Sequence, residues 1–244
     1  MIFHILNGDS LSGQFPNDIP GEKIIFRECL LDGPLVAKNE DVFWQMRKEF
    51  LEFAYEATDY DRKSKEEILK ITKIPSESTV FFWFEEDLFC QVNFWKASTL
   101  LPKDLQEAYL VLPGQNSPYS FAHLSAAQLF HQWENALKLD LEDIRLFNSL
   151  WTFYQNADVA NALDYLESSE PKFSFLFPAV KAWENMIPTQ KSEGLPMQTL
   201  RDIQIKNPVW DFRKVFREFQ NHLPIYGFGD LQVKKLWEKM KSSP

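Results

Sequence analysis

Val80-Phe81-Phe82-Trp83-Phe84 sets five apolar side chains, four of them aromatic, in an unbroken run that ends in Glu85-Glu86-Asp87. A run this short, closed by charge and followed at once by a helical pattern, suits a strand buried on both faces, as in a parallel sheet. The carboxylates then stand at the carboxyl end of that strand and beside a helix N-terminus. Open α/β sheets bind their ligands at that edge. Glu85, Glu86 and Asp87, with Gln91 in the first turns of the helix, are therefore candidate ligand-binding residues.

Three other segments suit the same sheet: 2–6, 23–27 and 108–112, against 79–84 for the aromatic strand. Helical patterns lie between them, at 40–56 with Phe43, Phe50 and Phe53 on one stripe, at 61–72, and from about Leu88 to Leu101. Strands alternating with helices imply parallel βαβ units. Residues 1–120 thus read as a Rossmann-like α/β domain with a parallel sheet. Beyond Ser120 the pattern is helical, with helices expected at 125–137, 141–154, 158–168 and 173–185. Ser125 and Gln128 have the spacing of a capping box. After a linker near Pro188–Gly194, residues 191–244 read as a small basic unit of helices 196–204, 208–221 and 230–241. A Gly-rich turn at 226–229 makes it resemble a helix-turn-helix.

Charge divides the chain unevenly. Residues 194–244 hold nine basic against five acidic residues, a balance of +4 that leaves −13 for residues 1–193. An acidic body argues against nucleic acid binding over the whole molecule and confines that option to the C-terminal unit. No apolar run approaches the ~18 residues of a membrane span. The N-terminus lacks a basic segment followed by an apolar one. The expectation is a protein without a membrane partner, unprocessed and cytoplasmic. Cys29 and Cys90, without paired spacing for zinc, are expected to be reduced thiols there.

The loops after the other strands add candidates. Asn7-Gly8-Asp9-Ser10 is a turn signal in which Asp9 or Ser10 suits a helix cap. The tetrad Gly8-Asp9-Ser10-Leu11 also invites comparison with the Gly-Asp-Ser-Leu esterases, whose Ser is the nucleophile. Such a Ser needs a His base held by a carboxylate. The four histidines, His4, His123, His131 and His222, all lack an Asp three residues before them, so a turn with a cap outweighs a hydrolase through Ser10. Arg27 and Glu28 follow the second strand, and Arg27 is the expected partner for a buried carboxylate at Asp9 or Glu85. Asp87 suits a helix cap, Cys90 a packed thiol, and His4 a satisfied core histidine. The glycine pattern of a dinucleotide fingerprint and a P-loop are both missing, so no cofactor is indicated.

His4-Ile5-Leu6-Asn7-Gly8-Asp9-Ser10, Arg27-Glu28 with Gly33-Pro34, and Trp83 through Gln91 together resemble the bacterial family called domain of unknown function 1835. The likeness continues at Gly194-Leu195 and Phe228-Gly229-Asp230, which resemble its usual C-terminal companion region. Many relatives carry His at the position of Glu86 and Asp at that of Cys90. The resemblance implies an α/β N-terminal domain with a helical C-terminal region and brings no activity with it. The residues themselves favour a small-molecule site, for a phosphorylated or nucleotide-like ligand, where the loops holding Asn7–Ser10, Arg27–Glu28, Glu85–Asp87 and Gly114–Ser117 converge. The alternative is a regulatory or scaffold protein that binds nucleic acid or a protein partner through its basic helices.

Overall fold

The computed structural model describes residues 1–115, 117–169 and 172–242. Strands β1 (Ile2–Asn7), β2 (Glu22–Phe26), β3 (Thr79–Trp83) and β4 (Glu107–Val111) pair in parallel in the order β2-β1-β3-β4. A fifth strand, β5 (Leu137–Leu139), closes the far edge antiparallel to β4. The fold is thus α/β with a helical C-terminal part, as the alternating pattern predicts. With β1 between β2 and β3, the order of strands reverses at the β1/β3 boundary, and a crevice opens at such a point in open sheets.

Every residue from Val80 to Phe84 is under 10% exposed, and successive side chains enter opposite cores. Val80, Phe82 and Phe84 face one core, while Phe81 and Trp83 face the other. On the first face lie α2 (Glu40–Tyr55), α4 (Leu88–Thr99) and α6 (Leu141–Gln155), where Phe94 packs between Phe82, edge-on at 5.1 Å, and Phe147, tilted at 4.5 Å. On the second, short helix α1 (Asp9–Gln14) and α5 (Ala126–Glu134) contribute Leu11 and Leu129, with Phe15 and Phe121 between them. Burial of aromatic and aliphatic side chains at ~1.5–3 kcal/mol each makes β3 the anchor of both cores.

Two helical expectations fail in instructive ways. The segment expected as helix to residue 137 ends at Asn135, whose side-chain amide turns back onto the His131 carbonyl. Leu137-Lys138-Leu139 then alternates to cover the edge of β4, with Leu139 buried and Lys138 paired to Glu107 at 2.9 Å. In α2, Phe53 lies 90% exposed, and the buried stripe is instead Phe43, Trp44, Arg47 and Leu51. The charged segment 61–73 is helical but irregular, a π turn at Asp61–Lys65 followed by α3 (Glu66–Ile68) and a 3₁₀ turn at Leu69–Lys73.

The rest of the chain folds into α7 (Val159–Ser169), α8 (Leu176–Met186), α9 (Leu195–Lys206), α10 (Phe212–His222) and α11 (Asp230–Ser242). These share the larger core with the sheet, through Leu200, Val215, Phe219 and Tyr226 among others. The basic C-terminal segment also meets the acidic body directly, with Lys235 on Asp32 at 3.0 Å and Gln232 donating to Cys29 Sγ at 3.0 Å. Arg213, Lys214 and Arg217 occupy the exposed side of α10, opposite buried Val215 and Phe219. Among the described residues, no helix is long and apolar enough to cross a membrane.

His4 is the satisfied core histidine its sequence position suggests. It is fully buried, accepts from Trp83 Nε1 at Nδ1 (3.0 Å), and so carries its proton on Nε2, which donates to the Pro20 carbonyl at 3.1 Å. Burial lowers its pKa from 6.5 to about 4, opposed by the Pro20 hydrogen bond and aided by Lys23. Since the folded value lies below the unfolded one, unfolding takes up a proton between them. Its share of stability is complete above about pH 6.5 and is lost as pH falls towards 4, by on the order of 3 kcal/mol. Urea melts from pH 7.5 to 4.5 should show a shallower pH slope for His4→Gln than for wild type; equal slopes would refute this assignment.

Candidate functional site

The crevice at the β1/β3 boundary is built from the two strand ends and the helix that leaves β3. Asn7, the last residue of β1, donates through Nδ2 to Cys90 Sγ at 3.0 Å. Cys90 Sγ in turn donates to Glu85 Oε2 at 3.1 Å. Asp87 is the N-cap of α4, accepting from Cys90 N at 3.0 Å, as an acidic residue before an apolar helix should. One carboxylate oxygen each of Glu85 and Asp87 and the sulfur of Cys90 lie within 4.8 Å of one another.

The helix itself explains why polar residues gather here. From Cys90 to Ser98 every residue of α4 is buried, which requires partners for the polar ones. Asn93 supplies three, donating to Asn7 Oδ1 at 3.0 Å and the Glu28 carbonyl at 2.9 Å while accepting from Leu30 N at 3.2 Å. It thereby fastens the ends of β1 and β2 to α4. Gln91 donates through Nε2 to the Glu85 carbonyl at 2.7 Å, and its Oε1, fully buried, meets no donor among the described residues.

The C-terminal unit roofs the crevice. Phe219, Gln220, Leu223, Pro224 and the turn Gly227-Phe228-Gly229 enclose, with Asn7, Glu85, Asp87, Cys90 and Tyr119, a cleft of about 320 Å³. Gly227 holds a left-handed conformation, φ +62°, and its backbone rests on the Asp87 carboxylate so closely that a Cβ would overlap Oδ1. Phe228 stacks parallel to Phe219 at 6.0 Å and fixes the turn there.

Among the described residues, no Lys, Arg or His lines this cleft. Burial pushes the carboxyl groups of Glu85 and Asp87 up, and in Asp87 the neighbouring Glu85 charge adds to the effect. Burial also holds the Cys90 thiol well above its ordinary value, so it stands as a protonated donor to Glu85 and not as a thiolate nucleophile. Glu86, half-buried with its pKa raised by burial, makes no ion pair among the described residues and is held through its N–H to the Pro118 carbonyl at 3.0 Å.

The remaining candidates go elsewhere. Gly8, at φ +83°, takes the N-cap of α1 that Asp9 or Ser10 was expected to fill. Asp9 instead pairs with Arg27 at 2.7 Å, in the open, and Arg27 also donates to the Lys63 carbonyl at 2.9 Å. Neither touches Glu85. Ser10 is exposed, and no base hydrogen-bonds it among the described residues. Glu28 turns inward, where its partner is Arg47, with both side chains fully buried at 2.8 Å. Of the fourth loop, Gly114 packs on Gln132, Ser117 bonds within its own turn to Ser120, and Asn116 lies outside the described residues. The residues that sequence reasoning missed are Arg47, Asn93, Tyr119 and the 219–229 roof. Asn93 had a signal, an amide inside a helix apolar on all sides. The roof, some 130 residues away in the chain, had none.

Compared with protein-family models, with curated proteins and with solved structures, the chain matches none of the three sets.

Proposed function

We propose that the protein binds a small ligand in the cleft at the carboxyl ends of β1 and β3, beneath the Gly227–Gly229 turn. The observation that carries this reading is the meeting of Asn7, Glu85, Asp87 and Cys90, from two strand ends and one helix start, in a roofed space of about 320 Å³. That volume lies near the lower end of the ~300–1,000 Å³ usual for small-molecule sites. Convergent polar groups in an otherwise apolar setting are what such sites use for orientation. Of the motifs behind the resemblance to the domain of unknown function 1835 family, Asn7–Ser10 supplies Asn7 to the lining and Trp83–Gln91 supplies Glu85, Asp87, Phe89 and Cys90.

Charge selects the ligand class. Two carboxylates without a lining cation favour a ligand that is positively charged or rich in N–H donors over the phosphorylated one that the fold class suggests. Thermal melts in the presence of a chelator, across a panel of amines, amino acids, nucleosides and phosphate esters, test this. At least one amine-bearing compound should raise the melting temperature, and Glu85→Gln should abolish the shift. A response confined to phosphate esters, a shift that survives Glu85→Gln, or no response to the panel refutes the reading.

A further inference from the structure

We infer that the cleft holds a thiolate-preferring divalent metal ion of the zinc class, bound by Cys90 Sγ and by carboxylate oxygens of Glu85 and Asp87. The inference rests on the reading above that this cleft accepts a cation, and it names the cation.

The three donor atoms already lie within 4.8 Å of one another, from residues spaced 85, 87 and 90 around a helix start. A tetrahedral ion with bonds of ~2.0–2.3 Å places its donors ~3.3–3.8 Å apart, so closure by about 1 Å completes the set. Short spacing across the N-cap keeps them together without help from distant chain. Asp87 is 1% and Cys90 7% exposed, and among the described residues no cationic side chain lines the cleft beside them. Buried carboxylates are otherwise compensated by Arg or Lys, as Glu28 is by Arg47 in this same molecule.

Gln91 adds an observation independent of the acidic groups. Its side chain is wholly buried one residue past Cys90, and its Nε2 bonds the Glu85 backbone carbonyl at 2.7 Å. Oε1 is left without a donor, against the rule that buried polar atoms are satisfied. A cation beside Glu85 supplies the missing electrostatic partner, directly or through a water.

The donor types decide the metal. A thiolate disfavours magnesium and calcium, which take oxygen only, and suits zinc or its cobalt(II) surrogate. Binding balances as M²⁺ displacing the thiol proton of Cys90 together with any proton on the two carboxyl groups: the S–H bond breaks, the sulfur–metal bond forms, and the protons leave to solvent. With three protein donors beside an open cleft, a further coordination position faces the space under Gly227–Gly229, where an amine or water binds.

The test uses the full-length protein stripped with chelator and then titrated with cobalt(II) and zinc. Cobalt should give an intense near-ultraviolet thiolate-to-metal band, and zinc should displace it and raise the melting temperature while magnesium does neither. Cys90→Ser should abolish the band and weaken zinc by more than the ~10–100-fold that loss of an outer-shell partner costs. Cys29→Ser, which alters a thiol that accepts from Gln232 and lies outside the cleft lining, should keep both. Should Cys90→Ser not fold, zinc titrations of wild type in two buffers of different ionisation enthalpy replace it, with at least one proton released per ion expected. No thiolate band, a band that survives Cys90→Ser or vanishes in Cys29→Ser, or zinc uptake without proton release overturns the inference. A chelator-insensitive amine response without zinc binding would leave the cleft reading standing and remove the metal; zinc binding without any response to the organic panel would keep the cation in the cleft and remove the organic ligand.

Discussion

Replacing Arg47 by Met should destabilise the protein by about 3–5 kcal/mol, because it strands a buried carboxylate. The Arg47 guanidinium meets Glu28 through Nη2 at 2.8 Å and Nε at 3.2 Å, and its remaining N–H groups serve the carbonyls of Cys29, Asp32 and Pro34. Tyr60 OH completes the shell of Glu28 at 2.6 Å. With both partners fully buried, loss of the cation leaves an uncompensated charge and takes a donor from each of three carbonyls, of which Cys29 keeps the N–H of Asp32. Arg27→Met should cost less than ~1 kcal/mol, since Arg27 and Asp9 are 31% and 70% exposed and solvent screens the pair. Urea melts of the two variants decide this. Arg47→Met/Glu28→Leu should recover part of the loss by removing both charges at once. An Arg47→Met as mild as Arg27→Met would show that the network contributes nothing.

Gly227→Val should detach the C-terminal turn from the sheet, costing on the order of 3 kcal/mol and opening the cleft. Two effects combine. A β-branched residue is strained at φ +62°, and its Cβ would occupy the space of the Asp87 carboxylate, with the Phe89 Cβ 3.1 Å away. The flexible alternative, moving Asp87, breaks the α4 cap and exposes a buried carboxyl. Gly13, with an ordinary φ and open space at its Cβ, is the control, and Gly13→Ala should be nearly neutral. Hydrogen exchange would report the consequence. Amides of 224–230 and of the first turn of α4 should lose protection together in Gly227→Val, whereas unchanged protection at the start of α4 would show that the roof does not bear on the site.

How the site could be read in advance differs residue by residue. The segment from Trp83 to Gln91 was legible because burial and charge change abruptly there, and a strand end followed by a capped helix is the simplest way to satisfy both. Asp87 as a cap and His4 as a core residue followed from local chemistry. Arg27 and Arg47 were not separable that way. Both are arginines near acidic residues, and whether one is in water or in the core depends on which face α2 turns to the sheet. The periodicity of Phe43, Phe50 and Phe53 pointed to a stripe that leaves Phe53 90% exposed. The packed side, Phe43-Trp44-Arg47-Leu51, carries an Arg that a hydrophobic count sets aside.

By itself the sequence determined the parallel strands, their order of appearance and the acidic strand end, because period-2 and period-3.6 burial are written in neighbouring residues. It also determined that α4 is buried all round and that its amides must find partners. Only the tertiary structure decided which strand ends adjoin, since β1 lies between β2 and β3 through pairings made some 20 and 77 residues apart. That pairing brings Asn7 to Cys90 and leaves Asp9 with Arg27 outside. The roof was decided the same way: Gly227 reaches Asp87 across 140 residues of chain, and no local propensity encodes a contact of that separation. Its cause is the shared apolar core, which holds Phe219, Tyr226 and Phe228 against the sheet's helices and so seats the turn on the carboxylate.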